Sequence, residues 1–415
     1  MKEAYTITSP KTLRATINLP ASKSISNRAL ILRALAHGKL PIDNLADCDD
    51  TMVIIKAFHE GNEIIDIKAA GTAMRFLTAF YSTQPGTHIL TGTERMKQRP
   101  ISILVDALKL LGAHIDYVGK EGFPPLHITG KQLQSKELTL PGDVSSQYIS
   151  ALLMIAPTLP NGLTLKLTGH VTSLPYIDMT LQLMREFGAA VHRSESLHPM
   201  QIEVKSGGYQ DIPYIIENDW SAASYWYEMV ALSNDPQATI TLPHLKREST
   251  QGDSKGAEMF KLLGVHTKYT EDGITIYKQG ELPQRMDADL REMPDLAQTF
   301  VVTCCFLGIP FRFTGLHTLR IKETDRISAL INELHKLGFV LYAEGDDALR
   351  WDREHCQADD NPVIATYDDH RMAMAFAPTA LKVKSIAINQ PEVVSKSYPH
   401  YWEDLQQVGF DIVVD

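Results

Sequence analysis

Apolar residues recur at helical spacing along the chain, and six of these runs end at a glycine followed by a short strand-like run. The first run is 54–61 and the last is 403–409. Such a combination is typical of a helix that stops at glycine and leads into a strand. The glycines are Gly61, Gly112, Gly188, Gly264, Gly338 and Gly409. The first interval spans 51 residues and the other four span 71 to 76, which predicts six repeated units with the first one trimmed.

The length of 415 residues exceeds what one hydrophobic core usually supports, so we expect two domains with three units each. The stretch 211–219 is interpreted as one crossing between them. The predicted domains are 20–216, with units one to three, and 1–19 plus 217–415, with units four to six. The N-terminal strand within 5–17 is expected to pair with the C-terminal half.

Composition narrows the class of protein. Hydrophobic residues make up 44% of the chain and charged residues 22%, as in ordinary globular proteins. The net charge of -10 argues against nucleic-acid or membrane partners. No apolar run could span a bilayer, and the Met-Lys-Glu start lacks a signal-peptide core. Because Cys48, Cys304, Cys305 and Cys356 have no metal-ligand spacing, we expect reduced thiols in a cytoplasmic protein without a metal site.

One predicted helix start combines the features of an anion site. Ser22 precedes an apolar-periodic run that stops at Gly38, which predicts a serine-capped helix. Lys23 lies in the first turn, where the helix dipole favours anions, and Arg28 lies four residues after Ser24 on the same face. Backbone amides, hydroxyls and two cations indicate a phosphate or carboxylate site. The alternative is a capped surface helix with two solvated charges.

Other predicted helix starts carry polar or cationic residues in the same way. They are 71–75, with a threonine cap and Arg75, 95–99 before a helix that begins at Pro100, 145–147, 322–326, 368–371, and Lys396 before the last helix. Lys322 and Arg326 are four residues apart and repel each other unless an anion or a carboxylate lies between them. Surface ion pairs are the alternative for each arginine. Repetition in both halves favours a site for one or two ligands with several negative charges.

Two carboxylates stand beside these cations. Asp295 follows a proline at a helix start and is either an N-cap or a base that takes a proton from a substrate hydroxyl. Glu323 lies inside the segment 322–326. The sequence contains no G-x-x-x-x-G-K-[ST], G-x-G-x-x-G or H-E-x-x-H motif. Kinase, dinucleotide-binding and metalloprotease interpretations therefore lack their main support.

Taken together and in order, these motifs resemble the 3-phosphoshikimate 1-carboxyvinyltransferase family, also called 5-enolpyruvylshikimate-3-phosphate synthases, over nearly the whole chain. The segments that carry the resemblance are 22–28, 71–75, 95–100, 145–147, 173–178, 294–295, 322–326, 369–373 and 395–396. The resemblance implies an α/β (α+β) fold, a two-domain inside-out α/β barrel of six β-α-β-α-β-β units. That agrees with the sixfold pattern and its trimmed first unit.

The resemblance also implies the reaction. The enolpyruvyl group of phosphoenolpyruvate moves to the 5-hydroxyl of shikimate 3-phosphate and phosphate is released, on the route to chorismate and the aromatic amino acids. No metal, no cofactor and no covalent enzyme intermediate is implied, and we expect a monomer. Asp295 would accept the 5-hydroxyl proton, and Glu323 or Lys23 would protonate the methylene carbon.

The family's binding residues carry over to matching positions of this chain. Shikimate 3-phosphate would be bound by Lys23, Ser24, Arg28, Ser145, Ser146, Gln147, Ser173, Tyr176, Asp295 and Lys322. Phosphoenolpyruvate would be bound by Lys23, Gly71, Arg99, Gln147, Arg326, Arg371 and Lys396. The chain departs from the family pattern at Ala69, Leu174 and Thr318, where asparagine, lysine and asparagine are common. These changes bear on affinity and glyphosate sensitivity rather than on the reaction class.

Two alternatives compete with this interpretation. Enolpyruvyl transfer to a UDP-amino sugar is the nearest, but that family has a reactive cysteine in the loop equivalent to 94–99, and no cysteine lies there. The other is a non-catalytic anion-binding or regulatory protein that kept the fold. The joint presence of Lys23, Asp295, Glu323 and Arg371 argues against it.

Overall fold

The structure, a computed structural model, describes residues 4–194 and 199–414. The Met1-Lys2-Glu3 start considered above lies outside the described residues. Backbone contacts divide the chain into two compact units. The terminal unit comprises Met1–Pro20 with Glu217–Asp415, and the central unit comprises Ala21–Ile216.

In the described residues, each unit contains six α-helices. Those of the central unit are α1 Lys23–Leu35, α2 Asp49–Glu60, α3 Gly71–Thr83, α4 Ser102–Leu110, α5 Ser146–Ile155 and α6 Leu174–Glu186. Those of the terminal unit are α7 Trp220–Leu232, α8 Gly256–Leu262, α9 Ala297–Leu307, α10 Arg326–Lys336, α11 His370–Phe376 and α12 Tyr401–Gln407. Short 3₁₀ helices span Met96–Gln98, Ala156–Thr158, Gly252–Lys255, Pro294–Leu296, His317–Ile321, Ala377–Leu381 and Pro391–Lys396.

The strands are short. The terminal unit begins with β1 Ala4–Thr8 and β2 Arg14–Thr16. The central unit has β3 Ile42–Asp43, β4 Ile64–Asp66, β5 Gly86–Thr91, β6 His114–Tyr117, β7 Leu126–Gly130, β8 Glu137–Pro141, β9 Leu163–Thr168, β10 Val191–Arg193, β11 Met200–Val204 and β12 Tyr214–Ile215. The terminal unit continues with β13 Thr239–Pro243, β14 Val265–Tyr269, β15 Gly273–Lys278, β16 Met286–Asp289, β17 Phe311–Thr314, β18 Tyr342–Glu344, β19 Ala348–Trp351, β20 Val363–Ile364, β21 Ile386–Asn389 and β22 Asp411–Val414.

Five four-stranded sheets repeat one pairing pattern, in which a parallel pair is extended by two antiparallel strands. Their orders are β4-β5-β7-β6, β8-β9-β11-β10, β2-β13-β15-β14, β16-β17-β19-β18 and β20-β21-β1-β22. In the last sheet β1 lies between β21 and β22, with Tyr5 opposite both Ile388 and Val414. The predicted pairing of the N-terminal segment with the C-terminal half is therefore confirmed.

The first repeat is reduced. Its sheet is the two-stranded parallel pair β3–β12, and α2 is followed by the single strand β4 before α3 begins. In the next four repeats three strands stand at the corresponding place, as with β6, β7 and β8 between α4 and α5, so the first repeat lacks a strand pair. Three sheets in each unit match the predicted six units, and the short first interval between glycines corresponds to the missing strands.

Helices occupy the interior of each unit. In α7, 12 of 13 residues are buried, in α3 11 of 13, and in α11 all seven. A helix that is buried on every side lies in a core, not at a surface. Most strands bury alternate residues and therefore one face: in β9 the alternate residues Leu163, Leu165 and Leu167 are buried. This is the inside-out arrangement that the resemblance implied.

Two details of the predicted helix α1 are wrong. Ser22 precedes the helix, but its hydroxyl makes no capping hydrogen bond to any described residue. The left-handed residue after the helix is His37, with φ 51°, rather than Gly38. Glycine is needed at position 38 for another reason, because a Cβ there would lie 2.4 Å from a carboxylate oxygen of Asp211.

Two other predicted helix starts are shifted. Helix α3 begins at Gly71 itself, so Thr72 is not its cap, and the Thr72 hydroxyl instead accepts a hydrogen bond from Gln147 at 3.1 Å. Helix α4 begins at Ser102 rather than at Pro100. The Pro100 carbonyl accepts hydrogen bonds from Arg75 at 2.9 Å and from the Tyr148 hydroxyl at 2.5 Å, which holds this residue outside the helix.

Candidate active site

The central unit pairs Lys23 with a buried carboxylate. Lys23 is the first residue of α1, and its Nζ lies 3.1 Å from Oδ2 of Asp50 in the first turn of α2. The side chain of Lys23 is 16% exposed and that of Asp50 is 6% exposed. The ion pair restricts Lys23 to one direction beside the start of α1. Sequence reasoning missed Asp50, which lies far from Lys23 along the chain.

Arg28 lies one turn further along α1 and is buried. Its guanidinium donates to the Thr180 hydroxyl at 2.7 Å, to the Ser24 carbonyl at 2.9 Å and to the Tyr176 carbonyl at 3.4 Å. All of these acceptors are neutral, so the positive charge is held in place without being cancelled by them. Burial lowers the pKa of Arg28 to about 10, which leaves it charged at neutral pH.

Arg99 lies directly against Gly71. A Cβ added at Gly71 would lie 2.6 Å from the nearest guanidinium nitrogen of Arg99, so any side chain there would displace Arg99. Arg75, which sequence reasoning grouped with the possible anion ligands, is buried and donates to the carbonyls of Gly71 and Pro100. It therefore ties the start of α3 to the segment that carries Arg99.

The remaining predicted residues of the central unit lie at the starts of two packed helices. Ser145 caps α5, accepting a hydrogen bond from the Gln147 amide at 3.4 Å, and Ser146 is the first residue of that helix. Ser173 has a left-handed backbone, with φ 53°, just before α6, which contains Tyr176. Hydrogen bonds connect Ser24, Arg28 and Tyr176, and the Tyr176 amide also donates to the Ser173 carbonyl at 3.1 Å.

In the terminal unit, Arg326 is the centre of a dense charged network. Its side chain is 1% exposed and donates to Asp369 at 2.7 Å, to Asp295 at 3.2 Å and to Glu323 at 2.9 Å. Arg326 is the first residue of α10, whose cap is the neighbouring residue Asp325. The alternative of a solvated surface ion pair is therefore wrong for Arg326.

Asp295 bridges three cations. Its carboxylate lies 3.0 Å from Arg371, 3.2 Å from Arg326 and 3.5 Å from Lys322. Burial alone would raise the pKa of Asp295, but the three cations, Arg371 most strongly, outweigh burial and hold the pKa well below its usual range. Asp295 is thus ionised at neutral pH. It also separates Lys322 from Arg326, which confirms that a carboxylate lies between these two cations.

Lys396 completes the network through Glu323, whose carboxylate lies 3.1 Å from the Lys396 Nζ. We call the following seven side chains the charge cluster: Asp295, Lys322, Glu323, Arg326, Asp369, Arg371 and Lys396. The structure thus brings together all six predicted residues of the terminal unit and adds Asp369. Asp369 caps α11 and accepts from the Arg371 amide at 2.9 Å. Its place in the Asp-Asp-His-Arg segment was the signal that could have identified it.

Asp253 is a further buried carboxyl near the charge cluster. Its Oδ2 accepts a hydrogen bond from the Ser221 hydroxyl, and its Oδ1 has no hydrogen-bond partner among the described residues. Burial, reinforced by the negative charge of Asp295 and opposed by Arg371, raises the pKa of Asp253 to about 7. Two neighbouring carboxyls with pKa values moved in opposite directions are typical of sites that handle protons.

The raised pKa of Asp253 predicts a pH-dependent stability difference. The folded protein binds this proton up to about pH 7, whereas the unfolded chain releases it near the ordinary aspartate pKa of about 3.9. The carboxyl therefore costs increasing stability as the pH rises through that window. We expect Asp253→Asn, which keeps an acceptor for Ser221, to raise the melting temperature relative to the parent more at pH 8 than at pH 5, measured by thermal unfolding.

The matched control is Asp352→Asn. The hydrogen bond from Arg285 lowers the pKa of the exposed Asp352, so both test pH values lie above its titration and the difference from the parent should be the same at each. An equal difference at pH 5 and pH 8 for Asp253→Asn would contradict the raised pKa.

The described residues contain neither a cluster of metal-ligating side chains nor a membrane-spanning helix. Within residues 4–194 and 199–414, no three His, Cys, Asp or Glu side chains are grouped to hold a metal ion. In the same two segments, no helix combines the length and apolar character needed to cross a bilayer. Cys48, Cys304, Cys305 and Cys356 are free thiols, and the first three are buried.

The fold defines the class of protein. The chain is similar to EPSP synthase from Acinetobacter baumannii, with a TM-score of 0.79, 20% identity and 100% of both chains covered. It is also similar to the enolpyruvyl transferase NikO from Streptomyces tendae, with a TM-score of 0.73, 16% identity, and 100% and 99% of the two chains covered. At these identities the likeness establishes the fold alone, which is the two-domain inside-out α/β fold of enolpyruvyl transferases.

The sequence defines the family within that class. The family model of EPSP synthase (3-phosphoshikimate 1-carboxyvinyltransferase) matches residues 7–60 and 54–405. A 3-phosphoshikimate 1-carboxyvinyltransferase from Bacteroides fragilis is 59% identical over 410 residues, and one from Yersinia pestis is 36% identical over 440 aligned positions, each with 99% of both chains covered. The chain belongs to the EPSP synthase family. It transfers the enolpyruvyl group of phosphoenolpyruvate to the 5-hydroxyl of shikimate 3-phosphate and releases phosphate, a step of the shikimate pathway.

Proposed function

We propose that individual residues of the two units divide this reaction between binding and proton transfer. The observation that carries the proposal is Asp295, a partly buried carboxylate kept ionised by Arg371, Arg326 and Lys322. A general base must be ionised and must reach the proton it removes. Asp295 takes the proton of the 5-hydroxyl as that oxygen attacks phosphoenolpyruvate.

Shikimate 3-phosphate is bound by the starts of α1, α5 and α6 in this proposal. Arg28, held by neutral oxygens, supplies a fixed positive charge, and Lys23 supplies a second one. Hydroxyls and amides donate to the phosphate and the ring. The full proposed set is Lys23, Ser24, Arg28, Ser145, Ser146, Gln147, Ser173, Tyr176, Asp295 and Lys322.

Phosphoenolpyruvate carries a phosphate and a carboxylate, so its site needs several cations. The proposed set is Lys23, Gly71, Arg99, Gln147, Arg326, Arg371 and Lys396. Gly71 belongs to it because its missing side chain leaves the space that the Arg99 guanidinium fills. Cations that are already held by ion pairs stabilise the tetrahedral intermediate and the departing phosphate without reorganising.

Two groups have the chemistry to protonate the methylene carbon of phosphoenolpyruvate. Glu323 is held by Arg326 at 2.9 Å and by Lys396 at 3.1 Å, and Lys23 is held by Asp50 at 3.1 Å. We infer that one of these two delivers the proton. Solvent-deuterium incorporation into the product by Glu323→Gln distinguishes them: its loss with KM for both substrates unchanged assigns the proton to Glu323, and its retention assigns the proton to Lys23.

We also infer the setting in which the enzyme works. The proposed domains are 20–216 and 1–19 plus 217–415, and the division of backbone contacts within one residue of these bounds supports them. We propose a cytoplasmic monomer, supported by four free thiols and by the acidic net charge of -10.

Phosphate release tests the proposal directly. We expect release when shikimate 3-phosphate and phosphoenolpyruvate are both present, and background release when a UDP-amino sugar replaces shikimate 3-phosphate. A protein that only binds anions would release no phosphate with either acceptor. Absence of turnover with shikimate 3-phosphate would refute the proposed roles.

A further inference from the structure

Three residues beside the charge cluster have a left-handed backbone although none is glycine. They are Tyr367 and Asp368, each with φ 55°, and Gln390 with φ 53°. Side chains with a Cβ disfavour this conformation, so it persists only where surrounding contacts hold it. Tyr367 and Asp368 immediately precede Asp369, and Gln390 immediately precedes the 3₁₀ helix that ends at Lys396.

Tyr367 is held by a buried carboxylate of α10. Its hydroxyl donates to Glu333 Oε1 at 2.6 Å, and the amide of Ala365 donates to Glu333 Oε2 at 3.0 Å. The Glu333 side chain is 0% exposed, and Lys336 lies 2.6 Å from the same carboxylate. Burial and the bond to Glu333 raise the pKa of Tyr367 to about 12, so the hydroxyl stays a donor.

Helix α10 therefore binds the segment before α11 at two points. In the last turn of the helix, Glu333 binds Tyr367, and at its first residue, Arg326 binds Asp369 at 2.7 Å. The Tyr367–Asp368 turn lies between these points. Asp369 in turn accepts from the amide of Arg371, so the direction in which α11 starts depends on this turn.

A second bond connects the turn to Lys396. Asp368 Oδ1 accepts a hydrogen bond from Gln390 Nε2 at 3.1 Å. Gln390 immediately precedes the 3₁₀ helix Pro391–Lys396, whose last residue, Lys396, pairs with Glu323. One strained turn is thus bonded to the segments that carry Arg326, Arg371 and Lys396.

We propose that Glu333 and Tyr367 are positioning residues for the enolpyruvyl donor. Their hydrogen bond holds the left-handed Tyr367–Asp368 turn, and the turn sets where Arg371 stands in the charge cluster. Neither residue belongs to the charge cluster itself. The inference rests on the role proposed for Arg371 in binding phosphoenolpyruvate.

Tyr367→Phe removes one hydroxyl and keeps the ring. We expect KM for phosphoenolpyruvate to rise about tenfold, the effect of losing a hydrogen bond to a charged group, with KM for shikimate 3-phosphate nearly unchanged. The matched control is Tyr342→Phe, because the Tyr342 hydroxyl also donates to a glutamate, Glu354, at 2.6 Å on an exposed strand of the same unit. Tyr342→Phe should leave both KM values unchanged.

A second pair of variants tests the backbone directly. Glycine adopts the left-handed conformation without strain and alanine does not. If the Tyr367 side chain serves to hold the turn, we expect Tyr367→Gly to have a lower KM for phosphoenolpyruvate than Tyr367→Ala. This order is the reverse of the one expected if only the packing of the ring mattered, since alanine then retains more of the side chain than glycine. An equal or higher KM in the glycine variant would overturn the proposal, as would an unchanged KM in Tyr367→Phe accompanied by a lower melting temperature.

Arg371→Lys separates this inference from the one on which it rests. If Arg371→Lys leaves KM for phosphoenolpyruvate unchanged, the proposed role of Arg371 is wrong. If Arg371→Lys raises that KM and Tyr367→Phe does not, only the positioning role of Glu333 and Tyr367 is wrong. A rise in both supports the two proposals together.

Discussion

Asp295→Asn is expected to lower kcat by roughly 10²- to 10⁴-fold, the usual contribution of a positioned general base. Asparagine keeps the size of the side chain but cannot accept the 5-hydroxyl proton. KM for phosphoenolpyruvate should stay the same or fall. The reason is that Arg371, Arg326 and Lys322 lose a competing carboxylate at 3.0, 3.2 and 3.5 Å. Steady-state phosphate release with each substrate varied separately measures both constants.

The control for Asp295→Asn is the same substitution at Asp287. Asp287 also pairs with an arginine, Arg285, at 2.8 Å, but both side chains are exposed. Its kcat should equal that of the parent. A kcat within tenfold of the parent for Asp295→Asn, or a large rise in KM with kcat unimpaired, would contradict the assignment of Asp295 as the base and favour a binding role instead.

The repeated architecture was predictable because it depends on local patterns. All six repeat glycines have a positive φ and lie one or two residues after the end of a helix, as with Gly112 at φ 95° and Gly338 at φ 92°. Each such glycine ends a helix and starts a strand, so their spacing reports the repeat length. The short first interval likewise reports real missing strands, because α2 is followed by β4 alone before α3.

Helix caps were less predictable, because several side chains can satisfy the same helix end. Ser22 has the residue type of a cap but makes no hydrogen bond to any described residue, whereas Asp369 and Asp325 do cap their helices. Thr72 looks like a cap but accepts its bond from Gln147, a residue on another helix. Tertiary contacts decided these cases, and local sequence contains no record of them.

The charge cluster shows both limits and strengths of sequence reasoning. The spacing of Lys322 and Arg326 called for an intervening anion or carboxylate, and the Asp295 carboxylate occupies that position. By contrast, Asp50 and Asp253 lie on different helices from the residues with which they interact, Lys23 and Asp295. Ion pairs formed across a fold depend on three-dimensional packing, so residue spacing alone does not reveal them.

Arg326→Met is expected to destabilise the protein by about 3–5 kcal/mol, the usual cost of removing one partner from a buried ion pair. The methionine fills similar volume, but Asp369, Asp295 and Glu323 lose the guanidinium that bonds all three. For a unit of this size the melting temperature should fall on the order of 10 °C. Because uncompensated carboxylates take up protons more readily, the loss should be smaller at pH 5 than at pH 8, as thermal unfolding at both values will show.

The comparison that makes this result specific is Arg285→Met. Arg285 also bonds two carboxylates, Asp287 at 2.8 Å and Asp352 at 2.9 Å, but its side chain is 41% exposed whereas that of Arg326 is 1% exposed. Water can replace the guanidinium at the exposed site, so Arg285→Met should cost no more than about 1 kcal/mol. If the two variants lost equal stability, burial would not be what makes Arg326 important. The charge cluster would then have to be regarded as an ordinary solvated network, in which water can replace the Arg326 guanidinium as readily as that of Arg285.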